Sequence, residues 1–208
     1  MLSFETFTAF FAASFILALA PGPDNIFVLT QSAMHGRKAG IIITLGLCTG
    51  LVFHTAAVTL GIAALLQASA IAFTFLKIAG ACYLLYLAWQ AFHSSAAEIN
   101  FQKTHNLGSW QACRRGIIMN ITNPKVSIFF MAYLPQFADP GRGSVAVQIM
   151  LLGLVFIAAT LLVFGTISLL AGFAGNRLNR SKKVQRLINR IAGIVFAGLA
   201  IKLATAHR

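Results

Sequence analysis

Along the chain, apolar positions gather into six runs: Phe4–Thr30, Ala39–Leu66, Ala70–Phe92, Ile117–Leu134, Val145–Ala171 and Leu187–Thr205. Each is long and low in charge, and about 20 such residues carry a helix across the roughly 30 Å of hydrocarbon in a bilayer. Lipid offers no water to a backbone, so a lone spanning segment must satisfy its own N–H and C=O groups by coiling into an α-helix. Barrel strands would alternate apolar and polar positions over about ten residues, and these runs do not. The pattern predicts an all-α, polytopic membrane protein of six transmembrane helices.

Proline interrupts two of the runs. Pro21-Gly22-Pro23 falls inside the first and Asn123-Pro124 inside the fourth. Proline has no amide hydrogen and its ring clashes with the preceding turn, so a continuous helix is not expected at either place. Lys77-Ile78-Ala79-Gly80 opens the third run and Arg190-Ile191-Ala192-Gly193 opens the sixth. These matches divide a single membrane domain, residues 1–208, into repeat one (1–100) and repeat two (101–208). Three is odd, so the second unit enters the membrane upside down. Inverted repeats with broken helices are a common build of secondary transporters, which hold substrate near mid-membrane between the repeats.

Charge refines the picture. Charged residues make up 10% of the chain, against about 25% in a soluble domain, which excludes an ordinary soluble globule. The net charge of +12 would suggest nucleic acid in a soluble protein, but the positions of the cations say otherwise. Arg37, Lys38, Lys103, Arg114, Arg115, Arg177, Arg180, Lys182, Lys183, Arg186 and Arg190 fall in alternate linkers, on one side. Only Lys77, Arg142, Lys202 and Arg208 fall on the other. The positive-inside rule puts the first group in the cytoplasm and both termini on the periplasmic side. The basic stretch over 177–190 then reads as a topology signal touching anionic membrane lipids, and no nucleic-acid partner is expected. Ala18-Leu19-Ala20 resembles a signal cleavage site, but no basic segment precedes it and the run continues apolar through Leu29, so it reads as a retained first span.

The chemistry gathers at the two breaks. The first frees carbonyls near Leu17–Leu19 and opens amides after Pro23, for which Asp24 and Asn25 are good acceptors. An Asp within a span costs roughly 2.5–3.5 kcal/mol on insertion scales, which makes Asp24 a functional candidate. In the fourth run, Asn123 before Pro124 reads as an N-cap with proline at the first helical position. Asn120 lies one turn earlier. Lys125 is too deep to snorkel easily and needs an anion; aligning the two breaks sets it opposite Asp24. The two are either a permanent ion pair or a pair that parts for a zwitterion. In the second case Asp24 takes an ammonium, while Lys125 and the positive end of a half-helix take a carboxylate. The substrate-binding candidates are therefore Asp24, Asn25, Asn120, Asn123 and Lys125, with Pro21, Gly22, Pro23 and Pro124 forming the breaks. His54, in mid-second run, is either a hydrogen-bonded packing residue or, with Asp24, a proton relay. Gly46 and Gly50, four apart, favour close helix crossing. No metal spacing, phosphate loop or nucleophile–His–acid set occurs, so neither an enzyme nor a cofactor or metal is expected.

Pro21-Gly22-Pro23-Asp24-Asn25, Gly36-Arg37-Lys38-Ala39-Gly40, Leu76-Lys77 with Gly80, Tyr83-Leu84-Leu85-Tyr86-Leu87, Asn123-Pro124-Lys125 and Leu134-Pro135-Gln136-Phe137 follow one another in order. Together they resemble the LysE/RhtB amino-acid exporters over nearly the whole chain. The resemblance implies a multi-pass efflux carrier of the bacterial inner membrane, with amino acids or close derivatives (homoserine, threonine, leucine, lysine) and protons as its partners. It also allows a homodimer. A proton moving inward would supply about 2.3 kcal/mol per 100 mV to a cycle of alternating access. A passive small-solute channel is the alternative, and a charged Asp24 and Lys125 would be a cost without a use in it. A thiol-based electron carrier would need two of Cys48, Cys82 and Cys113 to meet. With six spans and this charge bias, reporters fused to either terminus should both read periplasmic; a cytoplasmic C-terminus would break the topology.

Overall fold

The runs fold as helices. A computed structural model of the chain describes residues 2–20, 22–68, 70–93, 107–178 and 182–205. The described residues form α1 (Phe4–Leu19), α2 (Pro23–His35), α3 (Arg37–Ala68), α4 (Ala70–His93), α5 (Ser109–Ile121), α6 (Pro124–Ile128), α7 (Val145–Leu178) and α8 (Lys182–Thr205). Ser3 caps α1 by accepting the Thr6 amide at 3.1 Å. Both expected breaks are present. The pair α1 and α2 bends by more than 40°, and α5 bends by 50° into the segment that begins at Pro124. After α6 the ladder widens into a π-turn over Phe129–Tyr133 and then tightens into a 3-10 turn over Leu134–Phe137. Pro135 explains the change of register, because it brings no amide to the ladder.

Among the described residues, Arg37–Gly61 and Val145–Ala171 are each long and apolar enough to cross a membrane; four segments are, if each bent pair counts as one span. The runs behind α4 and α8 are helical as well, with Lys77 in the one and Arg190 and Lys202 in the other.

The long helix α3 packs against α5 and α7, α4 packs against α8, and α1 and α2 both lie along α7. Glycines set the close approaches. A Cβ on Gly46 would land on the Cys113 carbonyl of α5, and one on Gly50 would meet Asn120. The four-residue glycine spacing is thus a helix-crossing seam, as expected. Gly80 of α4 faces Ala132 and Leu203, and Gly193 of α8 faces Phe92. Neighbouring helices in lipid gain little from burying apolar surface, so such close backbone contact is what holds them. The larger apolar cluster joins the breaks to the rest: Phe10 meets Phe137 edge-on at 5.0 Å, and Phe156 meets Phe129 at 5.5 Å and Phe130 at 5.1 Å. Tyr86 and Trp89, half exposed or more, stack along the outer face of α4 at 6.4 Å, which suits a surface turned to lipid.

Overpacking a close contact costs about 1–3 kcal/mol. Gly46→Leu should therefore lower the thermal midpoint of the solubilised protein clearly. Gly198→Ala, where a Cβ meets nothing within 4 Å, should not lower it and, since alanine is the better helix former, should raise it slightly.

Candidate functional site

A helix that ends leaves its last carbonyls without intrahelical donors. At the end of α1 the Leu17 carbonyl would bond the amide of residue 21, but Pro21 has none; Pro21 itself lies outside the described residues. The Lys125 ammonium fills the gap, with Nζ donating to the Leu17 carbonyl at 3.1 Å and to the Ala20 carbonyl at 3.0 Å. Asn25 Nδ2 donates to the Ala18 carbonyl at 2.8 Å. The open end of α1 thus carries a cation from the fourth run and an amide from α2. The helix dipole favours a cation here, since its C-terminal end carries partial negative charge. Gly22 makes the seat accessible: a Cβ there would stand 3.2 Å from Lys125 Nζ.

The second break is treated in the same way. The Asn120 carbonyl would bond the amide of residue 124, but Pro124 has none. His54 of α3 donates to it from Nε2 at 3.2 Å, and the Asn123 amide adds a bond at 3.1 Å. A carbonyl only accepts, so Nε2 carries the hydrogen. The His54 ring is buried against Phe130, with centroids 5.5 Å apart.

Asn123 ties the two breaks together. Its Oδ1 accepts the Lys125 backbone amide at 3.0 Å, which is the expected N-cap of α6, and its Nδ2 donates to Asp24 Oδ2 at 2.9 Å. A carboxylate has no donor and an amide N–H no lone pair, so this orientation of the side chain is the one that satisfies both neighbours. Asp24 is 3% exposed, and its second oxygen, Oδ1, has no hydrogen-bond partner among the described residues. The same holds for Oδ1 of Asn25 and of the buried Asn120. The break region is therefore short of donors, a setting that suits a ligand bringing N–H groups.

Two details differ from the sequence reading. Asp24 and Lys125 share the region but form no ion pair within 4 Å, because the α1 carbonyls hold the amine and Asn123 holds the acid. Asp24 and Asn25 do not cap α2; Gly22 is its N-cap residue, without a side-chain bond. Pro23 and Pro124 do stand at the first turns of α2 and α6. Further buried polar atoms lack partners among the described residues, and two of them were not legible: the hydroxyls of Thr160 and Ser168 on α7. Nothing in an apolar run of α7 distinguishes them from hydroxyls that bond their own helix. The three cysteines are free, with Cys48 buried and Cys82 exposed.

Comparison with known proteins sets this arrangement among its relatives. The family described as LysE type translocator matches residues 15–207. The chain belongs to the LysE-type translocators. This is a family of transporters, not of enzymes. The chain is similar to an "Uncharacterized membrane protein" of Vibrio cholerae, at 32% identity over 95% of this chain and 96% of that protein. It is 31% identical to the "Homoserine/homoserine lactone efflux protein" of Salmonella typhimurium, over 99% of both chains. A "Leucine efflux protein" of an Enterobacter strain is 27% identical over 97% of this chain and 96% of its own. No solved structure gives a significant match.

The Asn123 bridge generates a sharp expectation for this LysE-type chain. Asn123→Asp keeps an oxygen for the Lys125 amide but turns a carboxylate toward Asp24. It should lower the thermal midpoint at neutral pH more than Asn123→Ala, which loses a cap worth about 0.5–2 kcal/mol without adding a like charge. The reverse order would show that the bridge does not hold.

Proposed function

We propose that this chain is a secondary active exporter of amino acids or close derivatives, of the homoserine and leucine class, across the bacterial inner membrane. It would be built as six spans in two inverted three-helix repeats, with both termini on the periplasmic side. The observation that carries the reading is the buried Asp24 with one free oxygen, beside a lysine held on carbonyls and not on that acid. A zwitterion can use both groups. Its ammonium satisfies Asp24 Oδ1. Its carboxylate draws Lys125 off the α1 carbonyls. The names of the efflux relatives support this substrate class. The repeat reading is supported by a reciprocal contact. Gly80, in mid-α4, packs on Leu203 near the end of α8, and Gly193, at the corresponding place of the matching motif in α8, packs on Phe92 near the end of α4.

In the proposed cycle, substrate enters from the cytoplasmic side, settles between the breaks, and one repeat rocks against the other. Proton entry drives the return: protonating Asp24 weakens its hold on the ammonium and releases the amino acid outside. His54, bonded to the Asn120 carbonyl beside this site, is the candidate partner for passing the proton.

In vesicles holding the purified chain, labelled homoserine or leucine should exchange against unlabelled substrate. A passive channel gives no such counterflow. Asp24→Asn and Lys125→Gln should each cut the exchange by about tenfold or more, the loss of one charged hydrogen bond, while the protein still inserts. Near-normal flux in either variant would overturn the assignment. Alanine at all three cysteines should leave exchange intact; its loss would revive the thiol carrier.

A further inference from the structure

The hydroxyls of Thr160 and Ser168 break a habit of this chain. Buried serines and threonines on its helices bond the carbonyl four residues back: Ser14 to Phe10 at 2.7 Å, Ser32 to Val28 at 2.6 Å and Thr44 to Gly40 at 2.9 Å. On α7 itself, exposed Thr166 does so to Leu162 at 2.6 Å. Thr160, 2% exposed, and Ser168, 0% exposed, have no partner among the described residues. A buried hydroxyl left unpaired costs free energy, so two on one helix need a reason. Eight residues apart, they lie on one face of α7.

That face meets α2 and α3. A Cβ on Gly40 of α3 would touch the hydroxyls of both Ser32 and Ser168, which fixes one level of the seam. About 12 Å back along α2, eight residues at 1.5 Å each, stands Asp24; the same step back along α7 reaches Thr160. Midway on each helix stand Val28 and Phe164, members of one buried apolar cluster with Ile43 and Leu47. In the other direction, one turn past Ser32, α2 ends at His35, whose Nε2 is buried and unpaired. Gly36, Arg37 and Lys38 then lie exposed. The seam therefore runs from an exposed basic corner, past His35 and Ser168, through an apolar layer, to the level of Thr160 and Asp24.

We infer that this seam is the substrate's route to the helix breaks, drawn shut. Ser168 and Thr160 are hydrogen-bonding stations for the polar end of an amino acid, on either side of a plug of Val28, Ile43, Leu47 and Phe164 that parts when α2 moves from α7. The unpaired hydroxyls find their partners in passing substrate and its water. The inference rests on the export reading and adds the path and the residues that line it.

Cysteine labelling tests it. In a chain with Cys48, Cys82 and Cys113 changed to alanine, Ser168→Cys and Thr160→Cys should react with a small, membrane-impermeant thiol reagent applied from the Arg37–Lys38 side. Homoserine or leucine should slow both reactions. Leu170→Cys, on the outward face of α7, should react slowly and ignore substrate. A complementary pair separates route from packing. Thr160→Val fills the same space without the hydroxyl, so it should raise the thermal midpoint yet lower exchange by about tenfold, the loss of one hydrogen bond to a polar substrate; Thr160→Ser should restore exchange. Labelling no faster than at position 170, labelling that substrate does not slow, or full exchange in Thr160→Val each overturns the route. Exchange by the unaltered chain, run alongside, separates the two ideas. Its absence removes the export reading and the route with it, whereas normal exchange with an unreactive seam removes only the route.

Discussion

A carbonyl buried away from water must have a donor, and a proline four residues later takes the usual one away. The architecture around both breaks follows from that constraint. At Leu17 the missing donor is replaced by Lys125, and at Asn120 by His54. In each case the replacement comes from a different part of the chain, far away in sequence. The breaks are therefore not loose ends. They are the points at which the first and second halves of the chain are joined by polar bonds, and Asn123, bonded at once to α6 and to Asp24, completes the join.

The same constraint makes the region receptive. Donors are scarce there, and the cation that could have neutralised Asp24 is engaged on carbonyl groups. What is left over is acceptor capacity on Asp24, Asn25 and Asn120. A core built for stability alone would pair such atoms or replace them with apolar groups. In a LysE-type translocator, unpaired acceptors beside a lysine held on carbonyls suit a ligand that must be held and then released.

Packing divides along a matching line. Around Gly46 and Gly50, backbone meets backbone or a short side chain, so α3 and α5 can slide or part only at considerable cost. Between α2 and α7 the contact is made by Val28, Phe164 and small hydroxyls. Such side chains can turn or withdraw without breaking a helix. The proposed route follows the side-chain contact between α2 and α7, with Gly40 of α3 close against Ser32 and Ser168 at one level of it.

The sequence by itself determined the helical class, the membrane setting, both break positions and the family. Each follows from local covalent chemistry: long apolar runs, prolines without amides, and short motifs in order. It also pointed to the carbonyls near Leu17 and to the cap at Asn123, because proline geometry acts within one helical turn. It could not say who answers the freed carbonyls. Asp24 and Lys125 were expected to face each other, but the amine reaches the end of α1 and the acid reaches Asn123. That choice depends on distances between residues about a hundred positions apart, which only the packed helices supply. The silence of Thr160 and Ser168 has the same cause, since a hydroxyl in an apolar run bonds its own helix or a neighbour according to what lies across the interface.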